Sequence, residues 1–152
     1  MSAIRRYFED MQVGDRARSM ARTISETEIV TFVNLTGYFE PLFIDMEFVA
    51  KETVFGRRIA PGALTYSVAE GLSLTDPYMT GAGMAFLGLS DLKVPAPVFA
   101  GDTIHVEVEV LELRTTSKPD RGIGRFLHTV FNHKGETVMT YDVTRMLHRR
   151  PA

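Results

Sequence analysis

The sequence predicts an α+β domain in which a curved antiparallel sheet wraps around one buried helix. The first indication is a segment starting at Pro61 and Gly62, whose apolar residues extend over more than one stripe. A helix that is apolar on most sides is expected to be buried on most sides. The second indication is the chain after Gly83, where apolar and polar residues alternate and short turns intervene, as in consecutive antiparallel strands.

The length and composition indicate a single globular domain. The chain has 152 residues, enough for one domain over residues 1–152 with a core of its own. Hydrophobic residues make up 45% and charged residues 24%, which is typical of globular proteins. A net charge of −2 favours binding neither to nucleic acid nor to an anionic membrane surface. No signal-peptide pattern and no apolar run of about 18 residues is present, so a cytoplasmic protein is expected.

Metal and thiol chemistry are not expected. The chain has no cysteine, which excludes disulfides, thiolate nucleophiles and cysteine-ligated zinc. Its four histidines lie in the last third, without the spacing of a metal-binding motif. Two of them, His105 and His128, fall within predicted strands, where we expect them to be partly exposed. The sequence therefore predicts no metal site and no redox cofactor.

A strand and a capped helix are predicted ahead of the buried helix. Residues 15–24 alternate weakly and are interpreted as a first strand. Ser25 and Glu28 have the spacing of a capping box, and apolar residues at helical spacing follow until Gly37. Residues 38–45 are predicted to form a loop, and residues 46–52 are predicted to form one or two further helical turns.

Four strands are predicted after the buried helix, over residues 84–94, 103–113, 125–131 and 137–147. The second of them has the clearest alternation of apolar and charged residues. The last two are joined by a tight turn at residues 132–135. One buried helix followed by such a run of strands predicts the hot-dog arrangement.

Two segments resemble the MaoC-like family of (R)-specific enoyl-CoA hydratases and dehydratases. Residues 55–64 (FGRRIAPGAL) resemble the entry to the central helix of that hot-dog fold. Residues 97–104 (PVFAGDTI) resemble the turn into its long strand. The resemblance covers nearly the whole chain. It implies an acyl thioester of coenzyme A or of an acyl carrier as the substrate, and protomers that pair through their sheets.

The family motif that carries the proton-transfer chemistry is altered in this chain. Hydratases of the family have the pattern Thr-Gly-Asp-x-Asn-Pro-x-His-x-Asp, whereas residues 36–45 read TGYFEPLFID. By resemblance, Tyr38 occupies the position of the catalytic Asp, Glu40 that of the Asn, and Phe43 that of the catalytic His. Phe43 can neither accept nor donate a proton, so the role of the imidazole is lost at this position.

Other residues are candidates for the catalytic roles that the altered motif leaves open. Hydration of an enoyl thioester needs a base, an acid, and donors for the oxygen that becomes enolate-like. By resemblance, Gly62 supplies a backbone amide donor, which side-chain changes do not remove. Glu40 is a candidate replacement base among apolar neighbours, and Tyr38 is a candidate phenolic donor. The alternatives are that Glu40 is solvated or paired with an arginine, and that Tyr38 only packs.

Three further side chains are candidates for substrate contacts or for catalysis. Arg57 and Arg58 stand beside the predicted thioester mouth, where they either bind a coenzyme A phosphate or are solvated. Glu70 lies in the middle of the central helix, where some hot-dog thioesterases place a catalytic carboxylate. A solvated or ion-paired Glu70 is the alternative.

Three functions remain open from the sequence. The first is an active hydro-lyase in which Glu40 and Tyr38 replace the usual catalytic pair. The second is a non-catalytic subunit that pairs with an active hot-dog chain and shapes its tunnel. The third is an acyl-CoA thioesterase that uses Glu70 or Glu40. We expect a homodimer or higher oligomer, or a hetero-oligomer with a second hot-dog chain, because the free edge of a curled sheet needs a partner.

Overall fold

The structure, a computed structural model, describes residues 6–151. A short 3-10 helix (Phe8–Asp10) precedes the other elements. These are α1 (Glu26–Thr36), α2 (Pro41–Ile44), α3 (Met46–Glu52), α4 (Gly62–Ser73), β1 (Arg16–Arg18), β2 (Arg22–Thr23), β3 (Gly83–Lys93), β4 (Thr103–Thr115), β5 (Arg121–Asn132) and β6 (Thr137–His148). Within residues 6–151, no helix is long and apolar enough to cross a membrane.

The strands form one antiparallel sheet in the order β1-β4-β5-β6-β3, and β2 pairs with β4 beyond the end of β1. The sheet curves around α4, and the apolar faces of both enclose the core. The α+β prediction, with a curved antiparallel sheet around a central helix, is confirmed. The alternation that predicted β4 appears as alternating buried and half-buried side chains along the strand.

The tight turn between β5 and β6 is also confirmed. The side chain of Asn132 holds it, because Oδ1 accepts hydrogen bonds from the amides of Lys134 (2.9 Å) and Glu136 (3.1 Å). Gly135 adopts a φ of 81°, a conformation that side-chain-bearing residues rarely take. The local sequence therefore sets the register in which the two strands pair.

The predicted first strand is wrong as a single element, since β1 and β2 are separated at residues 19–21. The interruption follows from Ser19. Its amide donates to the carbonyl of Val106 (2.9 Å), while its side-chain Oγ accepts from the amide of Val106 (2.9 Å). A hydroxyl thus takes the place of a backbone carbonyl, and the regular ladder stops there.

Of the three helices before α4, α1 and α3 were predicted and α2 was missed. The capping box of α1 is confirmed: Ser25 Oγ accepts from the amide of Glu28 (3.1 Å), whose carboxylate accepts from the amide of Ser25 (2.8 Å). Gly37 ends α1 with a φ of 68°. The predicted loop over residues 38–45 instead includes α2, because Pro41 stands at its first position, where proline favours a helix.

The prediction that α4 is buried on most sides is confirmed, because nine of its twelve residues are buried or half-buried. Leu64, Val68 and Leu72 face the sheet and are buried. Ala63, Ser67 and Gly71, at intervals of four residues, form an exposed stripe. Since the residues of this stripe are small, little apolar area of α4 is exposed.

β3 ends the sheet, and its outer edge is unpaired within the described chain. Consecutive side chains of a strand point to opposite faces, and here both faces are exposed and apolar. The exposed apolar residues of β3 are Met84, Phe86, Leu87, Leu89 and Leu92. A long apolar edge of this kind is uncommon on an isolated domain, and it marks a surface that is normally covered.

Candidate functional site

An apolar cavity of about 410 Å³ lies against the first turn of α4. Its walls come from Phe43 of α2, from residues 55–65 including the start of α4, and from residues 94–98 after β3. Thr65 is the one polar side chain among the described residues that line this cavity. An apolar lining with few polar groups is typical of a site for a small organic ligand.

A short antiparallel pairing brings residues 94–98 to the start of α4. The amide of Ala60 donates to the carbonyl of Val98 (2.8 Å), and the amide of Ala100 donates to the carbonyl of Arg58 (3.2 Å). Ile59 and Phe99 form the bridge between these two bonds. The segment before α4 and the turn before β4 therefore close two walls of the cavity together.

The first turn of α4 presents backbone amides to the cavity. The amides of Leu64 (3.0 Å) and Thr65 (3.1 Å) donate to the carbonyl of Pro61, which precedes the helix and has no side-chain acceptor. The amides of Gly62 and Ala63 lie ahead of the first intrahelical bonds. Gly62 also lines the cavity. This wall thus combines amide donors with the positive end of the helix dipole, which stabilises an oxygen that gains negative charge.

The altered motif lies beside this cavity. Phe43 is buried and forms part of the wall, and the ring of Tyr38 packs against it at 5.3 Å between centroids. Arg58 Nη1 donates to the carbonyl of Phe43 (3.1 Å), and Arg58 Nε pairs with the carboxylate of Glu26 (2.8 Å). Arg58 therefore holds α2 against α1, and it is not the solvated side chain that was one of the two alternatives.

Glu40, Tyr38 and Arg57 lie outside the cavity wall in the single chain. Glu40 precedes α2, is exposed, and its side chain does not cap that helix. Tyr38 is also exposed. Arg57 is exposed, with its guanidinium 3.9 Å from the ring centroid of Phe99. The catalytic and phosphate-binding roles of these residues stay predictions.

Comparison with known proteins identifies the family. Residues 10–131 match the family model described as the MaoC like domain. The chain belongs to the MaoC-like dehydratase family. An (R)-specific enoyl-CoA hydratase of Aeromonas caviae is 33% identical over 132 residues, covering 87% of this chain and 92% of the relative. An (R)-specific enoyl-CoA hydratase of Rhodospirillum rubrum is 33% identical over 144 residues, covering 95% and 93%.

Comparison with solved structures indicates the same family. A solved structure of a MaoC-like dehydratase from Rhodospirillum rubrum has a TM-score of 0.79 at 30% identity, covering 96% of this chain and 99% of that structure. The chain is thus a MaoC-like homologue of acyl-CoA hydratases and dehydratases. The resemblance of the two segments that flank the cavity is borne out over nearly the whole chain.

A second group of polar side chains lies deeper in this MaoC-like domain, between α4 and the sheet. Arg145 Nη2 of β6 donates to Glu70 Oε2 of α4 at 2.5 Å, and both side chains are largely buried. His128 Nε2 of β5 lies 3.6 Å from Glu70 Oε1. Glu70 is therefore ion-paired. It also lies eight residues, about 12 Å along the helix axis, from Gly62. A catalytic role of Glu70 stays a prediction.

The protonation of His128 follows from its surroundings. His128 Nδ1 lies 3.3 Å from the carbonyl of Phe126, which can only accept a hydrogen bond. Burial lowers the pKa of His128 to about 3, and the positive charge of Arg145 acts in the same direction. Burial also raises the pKa of Tyr141, whose ring stacks on that of His128 at 4.7 Å, and the charge of Glu70 adds to this effect. His128 and Tyr141 are therefore both neutral near neutral pH.

The prediction that His128 is partly exposed is wrong, because its side chain is fully buried. The strand period contains the missed signal: Phe126, His128 and Val130 alternate along β5 and all point into the core. His105 on β4 is partly exposed, as predicted. No group of three or more His, Asp or Glu side chains that could hold a metal ion occurs among residues 6–151.

Proposed function

We propose that this chain is a hydro-lyase that adds water to an enoyl thioester, or removes it from a 3-hydroxyacyl thioester, in the cavity beside Gly62. The carrier of the acyl group is coenzyme A or an acyl carrier. The observation that carries the proposal is an apolar cavity with helix-terminal amides in one wall. The acyl chain lies against the apolar walls, and the thioester oxygen accepts a hydrogen bond from the Gly62 amide.

The reaction needs charge stabilisation and two proton transfers. In the dehydration direction, a base removes a proton from the α-carbon, and the electron pair moves towards the thioester oxygen. The Gly62 amide stabilises the negative charge that develops there. When the electron pair returns, the bond between the β-carbon and its oxygen breaks. An acid protonates the leaving hydroxide to give water. Hydration is the reverse sequence.

Glu40 is the proposed proton-transfer group, with Tyr38 as a second donor. The walls of the cavity hold no titratable side chain among the described residues, since Phe43 stands where the family motif has its His. Tyr38 packs on Phe43, so the loop that carries Glu40 runs along the outside of that wall. A proton-transfer group at this rim can reach a bound thioester only through the mouth of the cavity or through a water.

The test compares Glu40→Gln with Glu47→Gln as a matched control. Glu47 is an exposed carboxylate on α3 that pairs with Lys51 (2.8 Å). Hydration of a short enoyl-CoA is measured with each purified chain. Glu40→Gln should reduce turnover by roughly 100-fold or more, because an amide cannot transfer the proton. Glu47→Gln should have no effect. Unaltered turnover in Glu40→Gln would move the role to Tyr38.

One observation favours a second function, that of a non-catalytic subunit. The described cavity wall has no titratable side chain, and this is also expected of a chain that binds the acyl group without catalysis. In that case the purified chain alone binds acyl-CoA without hydrating it, and activity requires a second hot-dog chain. Release of free thiol from a saturated acyl-CoA would instead indicate a thioesterase, which the ion pair of Glu70 does not favour.

The proposal includes a second copy of the chain, paired along β3. The unpaired edge with apolar residues on both faces supports it. Leu87→Lys with Leu89→Lys should shift the sedimentation coefficient from that of a dimer to that of a monomer. Leu35→Lys is the matched control, because Leu35 is equally apolar and exposed but lies on α1. A cytoplasmic location without a resident metal or redox cofactor belongs to the same proposal.

A further inference from the structure

Thr65 is a polar side chain in an otherwise apolar cavity. It is 2% exposed, and it lines the cavity beside Gly62. Hydroxyls inside helices commonly bond to the carbonyl four residues earlier, as Ser67 Oγ does with Ala63 (2.8 Å). Within residues 6–151, Thr65 Oγ1 makes no such bond, and Thr65 faces the cavity instead. A hydroxyl that faces an apolar cavity without a protein partner favours a ligand that supplies one.

The position of Thr65 relative to Gly62 determines which part of the substrate Thr65 contacts. The two residues are three apart on α4, so they share a face and are separated by about 4.5 Å along the axis. In a 3-hydroxyacyl thioester, bonds of ordinary length place the carbonyl oxygen and the 3-hydroxyl oxygen roughly 3–5 Å apart. One oxygen can therefore accept from the Gly62 amide while the other meets the hydroxyl of Thr65.

We infer that Thr65 is a specificity-determining residue that binds the oxygen on the β-carbon of the substrate. This inference rests on the proposed function and adds a residue that recognises the oxygen at carbon 3 of its substrate. In the hydration direction the same hydroxyl holds the water that is added. Thr65 positions this oxygen by a hydrogen bond and does not itself take up the proton, because an alkyl hydroxyl is too weak a base.

The test measures binding by calorimetry of two ligands, 3-hydroxybutyryl-CoA and butyryl-CoA, to the wild type and to three variants. Thr65→Val replaces the hydroxyl with a methyl group of similar size, and Thr65→Ser keeps the hydroxyl. Thr65→Ala is the second hydroxyl-free variant, in case valine does not fit. The ratio of the two dissociation constants removes the contribution of coenzyme A, which both ligands share. Absorbance of the enoyl product shows how much ligand is dehydrated during the titration.

The wild type and Thr65→Ser should bind 3-hydroxybutyryl-CoA about 5- to 10-fold more tightly than butyryl-CoA. Thr65→Val and Thr65→Ala should lose this preference while binding butyryl-CoA as the wild type does, which a general loss of structure would not produce. A preference that survives in both hydroxyl-free variants would overturn the role of Thr65 alone. Failure of the wild type to bind either thioester would overturn the proposed function as well.

Discussion

Protonation of His128 should make the protein sensitive to mild acid. The buried imidazole has a pKa of about 3 in the folded chain, against 6.5 for an ordinary histidine. Below pH 6.5 the unfolded chain therefore binds a proton that the folded chain does not, and stability falls as the pH falls. The groups that face His128 are Glu70, Arg145 and Tyr141, and the positive charge of Arg145 lowers the pKa of His128 in the same direction as burial.

The magnitude follows from the two pKa values. The stabilisation is fully present above pH 6.5 and is lost progressively down to about pH 3. Between pH 7 and pH 5 the folded His128 stays neutral while most of the unfolded chain takes up the proton. The free energy of unfolding should therefore fall by about 2 kcal/mol over this interval from His128 alone.

Urea unfolding at half-unit pH steps measures this loss. His128→Gln removes the titrating group and keeps a polar side chain, so its stability should vary about 2 kcal/mol less than that of the wild type between pH 7 and 5. His133→Gln is the matched control, because His133 lies in the exposed turn after β5, and it should behave as the wild type does. Identical pH slopes for the wild type and His128→Gln would refute the burial of a neutral imidazole.

Two further predictions concern the ion pair and the altered motif. Glu70→Leu should lower the free energy of unfolding by about 3–5 kcal/mol, because Arg145 is left buried without its counterion, and Glu70→Leu with Arg145→Met should recover much of this loss. Additive effects in urea unfolding would contradict the pairing. Tyr38→Asp, Glu40→Asn and Phe43→His together restore the family pattern and should create or raise hydration of a short enoyl-CoA, provided that the melting temperature shows a folded chain. A folded triple variant without activity would mean that the cavity itself is reshaped.

Most of the fold was predictable because each element has a local pattern. The alternation in β4, the capping box at Ser25 and the tight turn at residues 132–135 each depend on neighbours within a few positions. The break between β1 and β2 was not predictable in this way. It depends on a hydrogen bond between Ser19 and Val106, which are 87 residues apart.

The candidate site was predictable only in part. By resemblance Phe43 occupies the position of the catalytic His and Gly62 supplies the amide donor, and both line the same cavity. The third wall, residues 94–98, depends on pairing with the segment before α4, for which the sequence contains no local signal. The ion pair of Glu70 with Arg145 likewise joins residues 75 positions apart. An ion-paired Glu70 was therefore an alternative at the level of the sequence, but its partner could not be named.

The central claim is that the backbone amide of Gly62 stabilises the thioester oxygen, and the most direct test removes this amide donor. Gly62→Pro deletes this donor at the first position of α4, where proline is favoured, and the ψ of 142° at Pro61 already suits a following proline. Gly62→Ala keeps the amide, and its Cβ would stand 3.8 Å from Val94, an ordinary contact.

Turnover of a short enoyl-CoA is measured for both variants, with the melting temperature as the check on folding. The proposed role of the amide predicts that Gly62→Pro loses about 100- to 1000-fold in turnover, while Gly62→Ala stays close to the wild type. Equal turnover in a folded Gly62→Pro variant and in the wild type would contradict it.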